Sequence, residues 1–95
     1  MKASFQLFVA GDTQASSRSV SSLRGLCARV FGDAHEIQVI DVLERPDLAD
    51  EARILAVPTV VKLAPPPQRR AIGDLSDTER LAAALDLLPP DTEPV

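Results

Sequence analysis

An α/β domain of order β-α-β-α-β-β-α is what this sequence predicts, on three observations. Apolar, strand-like runs at 4–10 and 36–43 bracket a stretch with helical apolar spacing, which together make a βαβ unit. Pro58 opens a third, β-branched run at 57–63. Ser76-Asp77-Thr78-Glu79 has the form of a helix-capping box ahead of a leucine stripe. At 95 residues the chain supports a single core.

Taken in order, Ser4 to Ala10 places Phe5, Leu7 and Val9 on one face and Phe8 and Ala10 on the other, as a strand covered on both sides requires. A turn at Gly11-Asp12 ends it. The first helix is expected to start at Ser16 or Ser17 under a serine cap, because Val20, Leu23, Leu26, Cys27, Val30 and Phe31 recur at helical spacing. Gly32 stands where a glycine stops such a helix. Glu36 to Leu43 is the second strand, and a helical crossover makes it parallel to the first. Pro46 suits the first turn of a second helix reaching about Leu55, with Leu48, Ala52 and Leu55 on one face. The third strand follows at 57–63, since proline is tolerated where a strand begins. After Pro65-Pro66-Pro67, Arg69 to Ile72 reads as a brief edge strand closed by the turn Gly73-Asp74. The last helix, over 76–88, carries Leu81, Leu85 and Leu88. The domain is expected to span 1–88, and the acidic, proline-bearing tail 89–95 to be disordered.

Composition narrows the function. Hydrophobic residues make up 45% of the chain but aromatics only 3%, so Leu, Val, Ile and Ala build the core and stability is expected to be modest. The net charge of −4 removes the attraction that drives non-specific binding to nucleic acid or anionic membranes. No apolar run is long enough for a signal peptide or a membrane span, and a cytoplasmic location is expected.

The element order, with Val-Pro-Thr opening the third strand, is the layout of a thioredoxin-like fold, and a cis bond is expected at Pro58. Redox members of that fold place two cysteines at the turn before the first helix, where the helix N-terminus lowers the thiol pKa. Here that turn is Gly11 to Ser17, without cysteine, and the single Cys27 falls on the apolar stripe as a buried small hydrophobe. With no second thiol to resolve a mixed disulfide, an oxidoreductase is disfavoured. Thr13, Ser16 and Ser17 read as caps in preference to an anion site. His35 reads as a solvated loop residue, since no Cys or second His lies near it for a metal site or dyad. Asp41 is expected to hydrogen-bond neighbouring backbone or to pair with Lys62. Residues 51–75 sum to +2 while both flanks are acidic, so Arg53, Lys62, Arg69 and Arg70 make either a solvated surface or a patch that steers the domain onto an acidic partner.

These residues resemble the KaiB family, small thioredoxin-fold proteins of circadian and related bacterial systems. The carrying segments are Leu7 to Gly11, Val39 to Leu43, Pro46 to Ala49, Ile54 to Thr59, Leu85 to Leu88 and, the most specific, Pro65-Pro66-Pro67-Gln68-Arg69-Arg70-Ala71-Ile72-Gly73-Asp74-Leu75-Ser76. The resemblance implies a non-enzymatic adaptor, without cofactor or metal, that binds a KaiC-like ATPase ring and modulates its phosphorylation. It implies that Arg53, Lys62, Arg69 and Arg70 contact the ring, and that the chain forms a homo-oligomer, a dimer or tetramer, in one of its states. It further implies a fold switch in the C-terminal half, with Pro58, Pro65, Pro66, Pro67 and Ala84 as its switch positions. Many clock members carry Gly where this chain has Ala84, and Ala favours a helix by about 0.8–1 kcal/mol, so the thioredoxin-like state is expected to gain. Glu44, Arg45 and the alanine-rich 82–84 also depart from the clock pattern. A second role implied by the resemblance is a sensory input module for a histidine kinase, whose kinase segment would lie beyond Val95.

Overall fold

The computed structural model describes residues 2–73 and 75–87. Strand β1 (Ala3–Val9) holds Phe5 and Leu7 inward on one face and Phe8 inward on the other. Helix α1 (Gln14–Phe31) crosses to β2 (His35–Asp41), which pairs with β1 in parallel from Ala3↔His35 to Val9↔Asp41. The short α2 (Pro46–Glu51) leads to β3 (Thr59–Ala64), antiparallel to β1, and β4 (Arg69–Ile72) closes a sheet of order β2-β1-β3-β4. Helix α3 (Thr78–Ala84) then packs beside α1 against β4. The fold is thioredoxin-like, in the element order read from the sequence.

Two cores lie on opposite faces of the sheet. The larger joins Phe5, Leu7, Leu23, Leu26, Leu81 and Leu85, with α1 and α3 as its cover. Phe31 tilts against Phe5 at 6.0 Å between ring centres. The smaller holds Phe8, Ile40 and Val61 under Leu48, Ala52 and Ile54 from α2 and its loop. With Trp and Tyr absent, the aliphatic side chains carry this burial.

Several boundaries depart from those read in the sequence. Helix α1 begins two residues before the earlier of the expected serine caps, because the Thr13 hydroxyl accepts the Ser16 amide at 3.1 Å. Gly32, with φ at +60°, stops it. In α3 the cap is Asp77, one residue past Ser76: its carboxylate accepts the Glu79 and Arg80 amides. The helix ends at Ala84, its C-cap Leu85 is buried, and Asp86 turns the chain at φ +59°. Leu88 and the tail 89–95 lie outside the described residues. Helix α2 stops at Glu51, four residues short of the expected Leu55, because the chain turns at Arg53 with φ +57°. Leu55 is consequently 96% exposed, not on a buried face. The residue before a proline is pushed away from helical angles, so the approach to Pro58 already opposes a longer helix.

His35 is the first residue of β2, half-buried, with Nδ1 2.8 Å from the Gly32 carbonyl, and not a solvated loop residue. The Val57–Pro58 bond is cis, as its position leads one to expect, and so are Ala64–Pro65 and Pro66–Pro67.

Replacing the fully buried Leu23 by Ala is expected to cost about 2–5 kcal/mol, whereas Leu55→Ala should stay within about 0.5 kcal/mol of the parent. Urea unfolding of the two variants checks both values, and a Leu55 variant as damaged as the Leu23 one would contradict the early end of α2.

Candidate protein-docking site

The sheet brings three of its loops together at one end. Strands β1 and β2 finish at Val9 and Asp41, Phe8 pairs with Thr59 at the start of β3, and Thr59 pairs with Ile72 at the end of β4. The loops after β1, after β2 and before β3 therefore converge there. The Asp41 carboxylate ties two of them, since its Oδ1 accepts the Gly11 amide at 3.0 Å and the Leu43 amide at 2.9 Å. That is the backbone role expected for this residue; pairing with Lys62 does not occur, because β1 lies between their strands.

Between the start of α1 and Pro58 lies an open cleft of about 450 Å³ whose lining includes Ala15, Arg18, Val57 and Leu75. It is where a redox member of the fold would keep its thiols, and it contains none. Cys27 is fully buried inside α1, and burial pushes its thiol up to about 12, so the nucleophilic thiolate is suppressed. The Thr13 and Ser16 hydroxyls hydrogen-bond each other at 3.0 Å at the helix start, as caps. Among the described residues, no group of His, Cys, Asp and Glu has the arrangement of a metal site.

The four cations do not form one face. Val60 and Ala71 pair on the α1/α3 side and Val61 faces α2, so alternation sends Arg70 to the α2 side and Lys62 and Arg69 to the other. Lys62 is 1% exposed, which removes it from any docking surface in this conformation. Burial holds its ammonium below the ordinary lysine range, Asp86 acts in the opposite sense, and Arg69 adds to the lowering. Arg69, Arg70 and Arg53 are exposed. The Arg70 guanidinium is nonetheless occupied: it donates to the Ala52 carbonyl and, at 3.3 Å, to the Arg53 carbonyl, where α2 gives way to its loop. A cation at the C-terminal end of a helix is favoured by the unpaired carbonyls there. Sequence spacing showed four positive charges but not this division, which depends on strand register.

The match to known proteins follows the same segments. A model of the KaiB domain matches residues 6–87. The chain belongs to the KaiB family. It is 51% identical over 83 residues to the circadian clock oscillator protein KaiB of Prochlorococcus marinus strain MIT 9303, covering 87% of this chain and 70% of that protein. The same identity and length relate it to KaiB of Synechococcus sp. strain RCC307, of which 76% is covered. Among solved structures, the N-terminal domain of Synechococcus elongatus SasA superimposes with a TM-score of 0.72 at 26% identity, over all of this chain and 90% of that one. Mitochondrial thioredoxin 3 of Saccharomyces cerevisiae superimposes at 0.68 with 21% identity, over 90% of this chain and 77% of that one, a likeness of fold alone. The family's segment 65–76 thus falls on β4 and the loops around it.

Because the Lys62 pKa is depressed on folding, its charge weakens the folded state wherever the unfolded chain is protonated, and that loss fades only as pH climbs to the unfolded value near 10.4. Lys62→Met is expected to be as stable as the parent or more so at pH 7, with any gain shrinking towards pH 10. Urea midpoints at the two pH values test this; a loss above about 2 kcal/mol at pH 7 would show that the ammonium is needed.

Proposed function

We propose that this chain is a non-enzymatic cytoplasmic adaptor that docks on a KaiC-like ATPase ring and modulates its phosphorylation or ATPase state in a clock-related system. The observation that carries the reading is its 51% identity to circadian clock oscillator proteins over most of its length, segment 65–76 included. The geometry is consistent with binding in place of thiol chemistry, since the described lining of the cleft beside Pro58 contains no cysteine and Cys27 is buried in the core. No helix among the described residues is long and apolar enough to cross a membrane. Of the four cations, Arg53 and Arg69 are the exposed ones that would meet an acidic surface, Arg69 donating only a long bond of 3.5 Å to the neighbouring Gln68 carbonyl, with Arg70 engaged at α2 and Lys62 withdrawn. The proposed domain covers 1–88, and a dimer or tetramer is the proposed form away from the ring.

A second reading, a sensory input module for a histidine kinase, draws on the superposition with the N-terminal domain of SasA. The two readings differ in covalent context, as one acts as a free domain and the other in tandem with a kinase.

Mixed with the KaiC-like ATPase of its own genome and ATP, the purified chain is expected to elute at ring size on size exclusion with light scattering, and Arg69→Glu to abolish the shift. Absence of a complex with ATP and with ADP, after hours of incubation, would overturn the adaptor reading. Insulin reduction at the background rate is the expected result of a redox assay, and turnover dependent on Cys27 would contradict a non-enzymatic role.

A further inference from the structure

Helix α1 carries three arginines, Arg18, Arg24 and Arg29, and no acidic residue from Gln14 to Phe31, in a chain whose net charge is −4. All three are exposed, and none forms an ion pair with another described residue. Arg18 and Arg29 stand eleven residues apart, about three helical turns, so they project from one line along the helix. Gly25 lies on that line between them. A Cβ placed at Gly25 would meet nothing within 4 Å, so no close approach inside the chain calls for a glycine there. Glycine is disfavoured in a helix interior because it has the most backbone freedom to lose. On this face it leaves the backbone open between two cations.

The other side of the sheet has the reverse charge. Helix α2 carries Asp47, Asp50 and Glu51, all exposed, and no cation. Asp47 is paired with Arg45 at 3.0 Å, while Asp50 and Glu51 form no ion pair with another described residue. Arg45 and Arg53 flank the helix, and Arg70 is turned onto the carbonyls of Ala52 and Arg53. Beside α1, the acids of the α3 segment are answered locally: Asp77 caps its own helix, Glu79 adjoins Arg80, and Asp86 acts on Lys62. Each of α1 and α2 therefore holds one sign of charge. Within a single chain they cannot meet, because the sheet lies between the cores they cover.

We infer that the outer face of α1 docks on α2 of a second copy of this chain, with Arg18 and Arg29 against Asp50 and Glu51 and the backbone at Gly25 in close contact. The occupant follows from charge, since a second copy presents the acidic helix that complements α1. Unlike patches on opposite sides of the sheet make the contact head to tail: each copy offers α1 to one neighbour and α2 to another. Helix α2, at six residues, is only about 9 Å long, so the contact is smaller than a stable interface and depends on low salt and high concentration. It stands independently of ring docking and is tested on the chain alone.

The experiment is sedimentation velocity from about 10 μM to about 1 mM protein, on wild type, Arg18→Glu with Arg29→Glu, Asp50→Lys with Glu51→Lys, and Gly25→Leu, with thermal melts of each when dilute. At low salt the mean mass of the wild type is expected to rise with concentration, and to return to that of the monomer at about 0.5 M salt. Each charge reversal should stay monomeric. An equimolar mixture of the two should associate again, since an acidic α1 then meets a basic α2. Gly25→Leu should lose association without a lower melt, because its side chain enters open space. A wild type that is monomeric throughout would overturn the proposal. Association that survives either reversal would place the contact on another surface and overturn it as well, as would a mixture that stays monomeric where the wild type associates. A monomeric wild type whose binding to the KaiC-like ATPase is lost only in the α1 reversal would assign the face to that partner instead.

Discussion

Strand β1 is paired along both edges and covered on both faces, and the remaining elements are arranged by that double burial. Seven residues supply Phe5 and Leu7 to one core and Phe8 to the other. A strand in this position needs apolar side chains at both parities, and it needs helices on both sides of the sheet. Helix α1 serves one side through its crossover to β2, and α2 serves the other. The covers are unequal: α1 runs for 18 residues and α2 for only 6. The α2 side is consequently the open one, and it is there that the Arg53–Leu55 loop and Arg70 reach solvent.

The same constraint decides what the four cations can do. Strand β3 lies beside β1 and is largely buried, so a lysine within it is drawn into the interior whatever its charge. On the edge strand β4, consecutive arginines must point to opposite sides, which splits a doublet that looks like one patch in the sequence. Arg70 reaches the carbonyls just past α2, while Arg69 stays exposed with a long bond to the adjacent Gln68 carbonyl. Basic composition thus yields fewer outward-facing cations on any one side of the sheet than its count implies.

Much of this was legible in the residues. The element order, the parallel β1–β2 pair, the bounds of β4, the glycine stop at Gly32 and the buried state of Cys27 follow from periodicity and turn chemistry. The backbone role of Asp41 was open to the same reasoning. What escaped depends on contacts distant in sequence. Leu48, Ala52 and Leu55 have helical spacing, but the chain leaves the helix at Glu51, and Arg70, seventeen residues beyond Arg53, donates to the Ala52 and Arg53 carbonyls just past it. The burial of Lys62 likewise depends on the position of its strand in the sheet beside β1, which its own residues cannot announce. Threonine and aspartate won the capping positions over neighbouring serines by one to four residues, a competition among similar side chains that local pattern does not resolve.

The pairing of β4 with β3, which sends Arg69 and Arg70 to opposite sides of the sheet, and the packing of α3 against β4 underlie the proposed docking surface. Nuclear Overhauser effects on dilute, isotope-labelled protein report this arrangement most directly. Cross-strand contacts between Val61 and Arg70 and between Lys62 and Arg69, together with sequential helical contacts through 78–84, are the expected result. Residues 78–84 giving strand-type contacts, with none between β3 and β4, would contradict the arrangement from which the binding surface is built.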